Sequence, residues 1–188
     1  MNDKRQLLIE ASVDLFSEEG FWNTPTAKIA KQANVAKGTL FNYFETKEEL
    51  IECVYLELVH EYVAYIREGW PEDAAIKTKL EHVWYRTIDW GLKYPERYKL
   101  ISQLRVSDTL KGMHRDRDIE EMSFLLALEQ EAREDGLIED ISPEYFRSLM
   151  RLNLHASIRY AERHQLKEMQ LVKHIAKGFE IFWKGIAK

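Results

Sequence analysis

Apolar residues recur at every third or fourth position along almost the whole chain, and this spacing constrains the fold more than any other feature. Near the start, Leu8, Ala11 and Leu15 follow one another at helical spacing. Such a stripe is typical of a helix that buries one face. No segment alternates apolar and polar residues with the period of two that a β-strand needs, and no internal repeat is present. The sequence therefore predicts an all-α fold.

Short local signals mark where the first helices begin and end. Gly20 stands where a left-handed cap residue closes a helix, and Thr24 with Pro25 predicts the N-cap and first residue of a second helix. Asn34 tolerates a positive φ, so it can turn the chain before a third helix. The T-x-x-E pattern of residues 46–49 is a capping box that starts a long fourth helix.

Breaks with proline divide the rest of the chain. They are GWPED (69–73), KYPER (93–97) and LIEDISPE (137–144). An amphipathic stretch follows each break, so five further helices are expected and the total is about nine. The stretch 119–132 is apolar almost all round between Met122 and Leu128, which predicts burial on several sides. We expect two domains, residues 1–47 and residues 48–188.

Charge is unevenly distributed along the chain. The formal net charge is −5, but residues 21–47 contain four lysines and one glutamate, a local net charge of +3. This pattern suits a local nucleic-acid contact that a larger acidic body presents. The single cysteine, Cys53, excludes an intramolecular disulfide and a cysteine-rich zinc site. No apolar run approaches the roughly 20 residues of a membrane-spanning helix, and the N-terminus does not resemble a secretory signal, so we expect a soluble, cytoplasmic protein with no membrane partner.

Two short helices joined by a tight turn, the second with basic and polar residues near its start, form a helix-turn-helix. The second, recognition helix enters a DNA groove only if it is held rigidly, so the aromatic residues there are mostly expected in the core, and Leu40 and Phe44 are expected to face the protein. Thr26 and Lys47 lie in first turns of helices, where free backbone N–H groups favour a phosphate. The outward face of the recognition helix comprises Lys37, Gly38, Thr39, Asn42 and Tyr43.

Each polar position on that outward face has a chemical task on DNA. Lys37 can pair with phosphate or with guanine, and Gly38 lets the backbone approach the groove with no side chain in the way. Thr39 and Asn42 can touch base edges. The segment is therefore predicted to bind double-stranded DNA.

The segment PTAKIAKQANVAKGTLFNYFETKEEL, residues 25–50, resembles the DNA-binding signature of the tetracycline-repressor (TetR-like) family of bacterial transcriptional regulators. The resemblance covers about residues 5–52, and the rest of the chain agrees only in length and helical character. It implies a homodimer that binds a DNA operator. By the same resemblance, the DNA contacts would be Thr26, Lys37, Gly38, Thr39, Asn42, Tyr43 and Lys47.

Four positions depart from the family pattern. Asn34 replaces a turn glycine, Ala36 stands where a serine often caps the recognition helix, Phe41 replaces a frequent tyrosine, and Tyr43 takes a place often held by histidine. The losses at Ala36 and Phe41 remove polar groups that could reach phosphate. We therefore expect a weaker sequence-independent contribution to DNA binding.

The helices after residue 47 carry large apolar groups that could line a cavity for a small, largely apolar effector. The candidates are Trp84, Trp90, Tyr94, Tyr98, Met122 and Phe124, with His155 and Arg159 as a polar end. The family resemblance supplies most of the reason for a cavity. The alternative is that the aromatic residues are ordinary core and that His155 and Arg159 form a solvated or interface pair.

The last two helices are the predicted site of self-association. The final helix has a wide apolar face, and helix 8 has apolar residues on more than one side, so two helices from each subunit could form a four-helix interface. The predicted interface residues are Ile175, Phe179, Phe182, Trp183 and Ile186. The alternative is simple burial of these residues within the monomer.

Signatures of catalysis are missing from the sequence. It contains no glycine-rich phosphate loop, G-x-S-x-G or H-E-x-x-H motif, and its six histidines include no H-x-x-x-H pair. We expect no enzymatic activity, no cofactor and no metal site. The favoured function is a DNA-binding repressor that a small apolar effector releases from a palindromic operator. The alternative is a DNA-bound adaptor of the same fold whose C-terminal domain binds a protein.

Overall fold

Helices account for most of the structure, a computed structural model that describes residues 4–107 and 122–188. These residues form nine α-helices and no β-strand, which confirms the all-α prediction, and one isolated bridge pairs Ile138 with Ala187. Among the helices described, none combines the length and the apolar character needed to cross a membrane. In chain order they are α1 (Lys4–Glu19), α2 (Thr26–Gln32), α3 (Lys37–Tyr43), α4 (Lys47–Arg67), α5 (Ile76–Lys93), α6 (Pro95–Val106), α7 (Ser123–Glu134), α8 (Pro143–Arg163) and α9 (Glu168–Ile186).

The chain clusters into two compact units. The described residues of the first unit are 4–61 and 94–107, and those of the second are 62–93 and 122–188. Helix α4 is continuous across this boundary, so its first turns belong to the first unit and its last turns to the second. A division into independently folding domains after residue 47 stays a prediction.

In the first unit, α1 packs against α2, α3 and α6, and α3 also packs against α2. The core of this unit includes Leu8, Leu15, Phe16, Ile29, Leu40 and Phe44, all buried. Leu50, Val54 and Leu58 of α4 are also buried in this unit. Burial of Leu40 and Phe44 holds α3 against α1 and α2, as a recognition helix requires.

The turns before and after α2 follow from local backbone preferences. Gly20 has φ 82° and Asn34 has φ 54°, as predicted. Helix α2 begins at Thr26 with Pro25 as its N-cap, so the prediction of Thr24 as the N-cap is wrong. The hydroxyl of the buried Thr24 instead donates to the backbone oxygen of Gly20 at 2.9 Å, and this oxygen also accepts a bond from the N–H of Asn23 at 3.2 Å.

Side-chain caps begin α4 and α8. The hydroxyl oxygen of Thr46 accepts a bond from the N–H of Glu49 at 3.1 Å, which confirms the predicted start of α4. The Glu49 carboxylate accepts from the N–H of Glu45 at 2.6 Å, one residue before the partner of a regular capping box. At α8, the Ser142 hydroxyl accepts from the N–H of Tyr145 at 3.2 Å.

The second unit is built around α5, which packs on α7, α8 and α9. Trp84 of α5 is fully buried, and its ring stacks on Phe182 with centroids 5.3 Å apart and lies edge-on to Phe179 at 6.0 Å. Its indole Nε1 donates to the backbone oxygen of Ile175 at 3.2 Å. A Cβ atom built on Gly178 would lie 3.2 Å from Cζ2 of Trp84, so the glycine permits this close approach. Trp84 is thus fixed in place on several sides.

Helix α7 is less buried than its sequence predicts. The predicted helix over 119–132 includes residues 119–121, which lie outside the described residues, and the observed helix begins at Ser123. Leu128 is buried, whereas the apolar residues among 122–126 are half-buried. The predicted burial on several sides is therefore only partial, since α7 packs on α5 and is also contacted by Trp70 and by Arg147 of α8.

The last turns of α4 are tied to α5 by side-chain bonds. Arg86 donates from Nε and Nη2 to the backbone oxygen of Tyr65, at 3.0 and 2.7 Å, and its Cζ lies 3.9 Å from the centroid of the Tyr65 ring. The Tyr65 hydroxyl donates to the Asp89 carboxylate. Burial, reinforced by this bond, raises the pKa of Tyr65 to about 12. These bonds hold the end of α4 against α5 within the second unit.

One buried carboxylate links α7 with α8. Glu129 accepts from Nη2 of Arg133 at 3.1 Å and from Nη1 of Arg147 at 3.0 Å. The Glu129 side chain is almost fully buried. Two cationic partners compensate for the desolvation of this charge, so removal of either arginine would weaken the junction between the two helices.

Candidate nucleic-acid interface

The buried and exposed faces of α3 are clearly separated. Leu40 and Phe44 are buried, which confirms their predicted role in holding the helix. Five predicted contact residues lie on the remaining surface, where Thr39 is half-buried and the other four are exposed: Lys37, Gly38, Thr39, Asn42 and Tyr43. The structure therefore brings these five residues together on one short helix, and their contacts with DNA stay predictions.

The first turn of α3 is open to an approaching ligand. Ala36 is the N-cap and supplies no side-chain cap, as expected from the absence of a serine. No heavy atom lies within 4 Å of a Cβ built on Gly38, so the space outside this residue is empty in the single chain. A DNA backbone or base edge could approach the main chain closely at this point.

Lys47 and Thr26 lie at the first residues of α4 and α2. The Lys47 Nζ donates to the backbone oxygen of Trp22 at 3.0 Å. Burial lowers the pKa of the Lys47 ammonium group, and the carboxylate of Glu48 opposes this effect. An ammonium group has three donors, so the bond to Trp22 does not by itself preclude a phosphate contact. Thr26 is half-buried.

The local positive charge is partly compensated within the chain. Lys28 forms an ion pair with Glu19 at the end of α1. Lys31 and Lys37 are both exposed. The basic character predicted for residues 21–47 is therefore concentrated on fewer lysines than the sequence contains.

Two exposed aromatic residues near this surface were not predicted as contacts. Phe41 of α3 is 43 % exposed, and Trp22, in the turn after α1, is 60 % exposed. Assignment of the aromatic residues to the core is right for Phe44 but wrong for Phe41. The spacing carried a signal, because Phe41 follows Lys37 by four residues and so shares its side of the helix. Trp22 lies outside the helices, where periodicity carries no information.

The predicted effector residues are divided between the two compact units. Tyr94 and Tyr98 belong to the first unit, whereas Trp84, Trp90, Met122, Phe124, His155 and Arg159 belong to the second. Trp84 and Trp90 are buried, which matches the alternative of ordinary core, and His155 and Arg159 are exposed on α8. Arg159 pairs with Glu162 at 3.3 Å. Their assignment to a cavity stays a prediction.

A partly accessible aromatic cluster lies elsewhere in the second unit. Trp70 is edge-on to His82 with centroids 5.5 Å apart and edge-on to Phe124 at 5.3 Å, and the Cζ of Arg67 lies 4.3 Å from the centroid of Phe124. We call these four residues the Arg67 cluster. Trp70 and Phe124 are half-buried. Of these four residues, only Phe124 was predicted as a ligand contact. The cluster combines separate segments of the chain, and their proximity in the fold could not be read from local sequence patterns.

The predicted dimer residues lie inside the single chain. Ile175, Phe179, Phe182 and Ile186 are buried, and Trp183 is half-buried. Helix α9 turns this face towards α5 and α8 of its own chain. These residues are thus buried within the monomer, as the alternative interpretation stated. Four of the five are absent from the surface of the single chain and so are not available to a partner subunit.

An apolar stripe lies on the side of α8 opposite to its buried residues, and it is exposed except at Leu149, which is half-buried. Its residues follow helical spacing and comprise Tyr145, Leu149, Leu152, Ala156 and Tyr160. We call them the α8 stripe; Leu152 at its centre is 67 % exposed. Tyr160 stacks on His174 of α9 with centroids 5.0 Å apart. Ile181, seven residues after His174 on the same side of α9, is 60 % exposed.

The chemistry of metal binding is poorly supported. Among residues 4–107 and 122–188, no three His, Cys, Asp or Glu side chains are grouped to hold a metal ion. Cys53 accepts a bond from Nη2 of Arg5 at 3.4 Å, and burial raises the pKa of its thiol despite this cation. The thiolate, which is the form that ligates metals, is therefore disfavoured at this position.

Comparison with known proteins gives consistent matches along the chain. Residues 8–54 match the family described as bacterial regulatory proteins, tetR family. A solved structure of a candidate TetR-family transcription regulator from Shewanella sp. PV-4 is 26 % identical, with a TM-score of 0.90 and full coverage of both chains. An HTH-type transcriptional regulator of Haemophilus influenzae is 25 % identical over 99 % of this chain and 97 % of its own length. The fatty acid metabolism regulator protein of Bacillus subtilis is 35 % identical over 77 residues, which span 41 % of this chain and 40 % of that protein.

Proposed function

Since the chain belongs to the TetR family of bacterial DNA-binding transcriptional regulators, we propose that it is a repressor that leaves a palindromic operator when a small, largely apolar effector binds. The DNA-binding part rests on α3, where Leu40 and the C-cap residue Phe44 are buried while the opposite face is exposed. In a homodimer, two such helices would read half-sites about 34 Å apart or a multiple of that distance. The cytoplasmic location stays a prediction.

Replacement of Lys47 tests the proposed phosphate contact. We expect Lys47→Ala to weaken binding to all duplexes about equally and to reduce the slope of log affinity against log salt by about 0.9 for each protomer bound. Binding is measured at several salt concentrations, with a duplex selected by the unaltered protein from a random-sequence library and with the unselected library.

Lys31→Ala is the matched control for this measurement. It removes the same charge from an exposed position of α2 that is not predicted to contact DNA, so its salt slope should change less. Thermal unfolding of both variants separates a lost phosphate contact from a lost Lys47–Trp22 bond. An unchanged salt slope in Lys47→Ala would contradict the phosphate role.

We place the homodimer seam on the α8 stripe. Large exposed apolar patches are rare on monomers, and this stripe extends over four turns of one helix. Two copies related by a two-fold axis would bring the stripe of one protomer against that of its partner, with Ile181 of α9 beside it. The buried face of α9 would then pack only against helices of its own protomer.

The effector is proposed to contact the second unit. The half-buried side chains of α7 and of the Arg67 cluster offer apolar surface that an effector could cover. Arg67 lies in the last turn of α4, the helix that continues into the first unit, so an effector there could act on the same helix as Lys47. The name of the Bacillus subtilis relative supports a long-chain apolar compound as the effector class.

DNA and effector are expected to weaken each other reciprocally. A coupling of about 1–3 kcal/mol corresponds to about 5- to 150-fold in affinity. We expect members of a series of fatty acids of increasing chain length to quench tryptophan fluorescence and to release the selected duplex over the same concentration range. Phe124→Ala should raise that concentration while effector-free DNA affinity stays within about threefold.

Leu137→Ala, an exposed apolar residue of the same unit outside the Arg67 cluster, is the control for Phe124→Ala. An effector that quenches fluorescence without changing DNA affinity would contradict the proposed coupling. The adaptor alternative draws on the same exposed α8 stripe, because apolar surface also suits a different protein. It gains support if no compound of a metabolite library shifts thermal stability.

A further inference from the structure

Trp22 is a large aromatic residue held on the surface by a rigid turn. The N–H of Asn23 donates to the backbone oxygen of Gly20 at 3.2 Å, and this turn projects Trp22 from the end of α1. Phe21 beside it is buried and anchors the turn in the core, and the rings of Phe21 and Trp22 lie 4.8 Å apart. The indole is nevertheless 60 % exposed. The backbone is ordered by internal bonds while the ring is left for solvent or a partner.

The main chain of Trp22 is also tied to a predicted DNA contact. Its carbonyl oxygen accepts the bond from the Lys47 ammonium group at 3.0 Å. Thr26, the other predicted phosphate contact outside α3, follows four residues later. An indole has one polar atom, Nε1, which donates and cannot accept. The Lys47 cation is bound to the main chain of the same residue that carries this exposed indole, so an anionic acceptor that approaches Lys47 would come near an N–H donor and an apolar ring.

We propose that Trp22 is a further DNA-contacting residue, with its ring against a deoxyribose and its Nε1 donating to a backbone phosphate beside Lys47. The DNA backbone combines both features, since each phosphate is flanked by sugars with apolar faces. The contact would position the duplex and would read no base. This inference rests on the proposed function, because it assumes that α3 and Lys47 face DNA.

Two substitutions separate the ring from its donor. We expect Trp22→Ala to weaken binding of the selected duplex roughly tenfold for each protomer bound, as for loss of a hydrogen bond to a charged group. Trp22→Phe keeps a ring without the donor and should give an intermediate loss. Neither variant removes a charge, so the salt slope should equal that of the unaltered protein, in contrast to Lys47→Ala.

A fluorescence measurement gives a second readout. DNA should shield Trp22 from quenching by iodide, and this shielding should disappear in Trp22→Phe, which keeps the other four of the five tryptophans. Val106→Ala, a truncation of an exposed apolar residue of α6, is the control and should leave DNA affinity unchanged.

The possible outcomes separate this inference from the proposed function. Duplex affinity within twofold of the unaltered protein in both Trp22 variants would overturn the contact, while DNA binding by the unaltered chain would still support the proposed function. A fall in thermal stability parallel to the loss of affinity would also overturn it, because Trp22 would then serve the fold. Failure of the unaltered chain to select any duplex would overturn the proposed function and this inference together.

Discussion

Trp84→Ala is expected to lower the free energy of unfolding by about 3–5 kcal/mol, the range for truncation of a buried tryptophan. Trp84 is fully buried, stacks on Phe182, and donates its N–H to Ile175. The variant loses these contacts and leaves a cavity between α5 and α9. Because whole domains are stable by only about 5–15 kcal/mol, the second unit should melt at a much lower temperature. Urea unfolding followed by circular dichroism measures the change.

The same substitution at Trp22 is the matched control. Trp22 is 60 % exposed, so Trp22→Ala should change the free energy of unfolding by no more than about 0.5 kcal/mol. If Trp84→Ala instead kept the stability of the unaltered protein and raised only the effector concentration needed for release, Trp84 would line a cavity as the sequence hypothesis stated. The packing around Trp84 argues for the larger stability effect.

The double variant Leu152→Glu with Ile181→Glu is expected to be a folded monomer that binds the selected duplex at least about 100-fold more weakly. Both side chains are mostly exposed in the single chain, so charge is tolerated there, but a dimer would have to bury four new carboxylates. A monomer also loses the advantage of two linked recognition helices, which is worth about 10²- to 10⁴-fold. Sedimentation velocity and duplex titration measure the two effects.

Val106→Glu controls for a new charge at an exposed apolar position, since Val106 on α6 is 78 % exposed and lies outside the α8 stripe. It should leave both the dimer and DNA binding intact. Phe182→Glu provides the opposite contrast, because it places a carboxylate in the core and should unfold the second unit. A dimer that survives in the double variant would show that the seam lies elsewhere.

Helix boundaries were predictable wherever a single residue or a short motif decides them. Gly20 and Asn34 adopt the positive φ that their types favour, and the hydroxyl groups of Thr46 and Ser142 cap α4 and α8 as their positions in the sequence indicate. Thr24 is the exception. Its hydroxyl donates to the carbonyl oxygen of Gly20 in the preceding turn and does not cap the next helix.

Apolar periodicity predicted which face of a helix is covered but not what covers it. Ile175 and Phe182 lie on the apolar face of α9, and that face was equally consistent with a partner subunit and with the chain's own α5 and α8. The decision depends on contacts between segments far apart in sequence. For the same reason Tyr94 and Trp84, close in the chain, belong to different compact units.

The candidate site on α3 was more predictable than the surface beside it. A recognition helix must bury one face and expose the other, so Leu40 could be assigned to the buried face and Lys37 to the exposed face from their spacing alone. Phe41 and Trp22 were missed because aromatic residues are usually buried, and local rules do not identify the exceptions. Their exposure became visible only once the neighbouring helices were placed.

The separation of buried from exposed positions on α3 has an evolutionary consequence. Only Leu40 is buried among the seven residues of the helix, and a side chain added at Gly38 would meet no other group of the protein. Mutations at the exposed positions are therefore expected to have little effect on folding, and under the proposed function selection could act on them through the choice of operator. Under the same proposal, a duplicated gene could acquire a new operator by a few substitutions on this helix, with its fold unchanged.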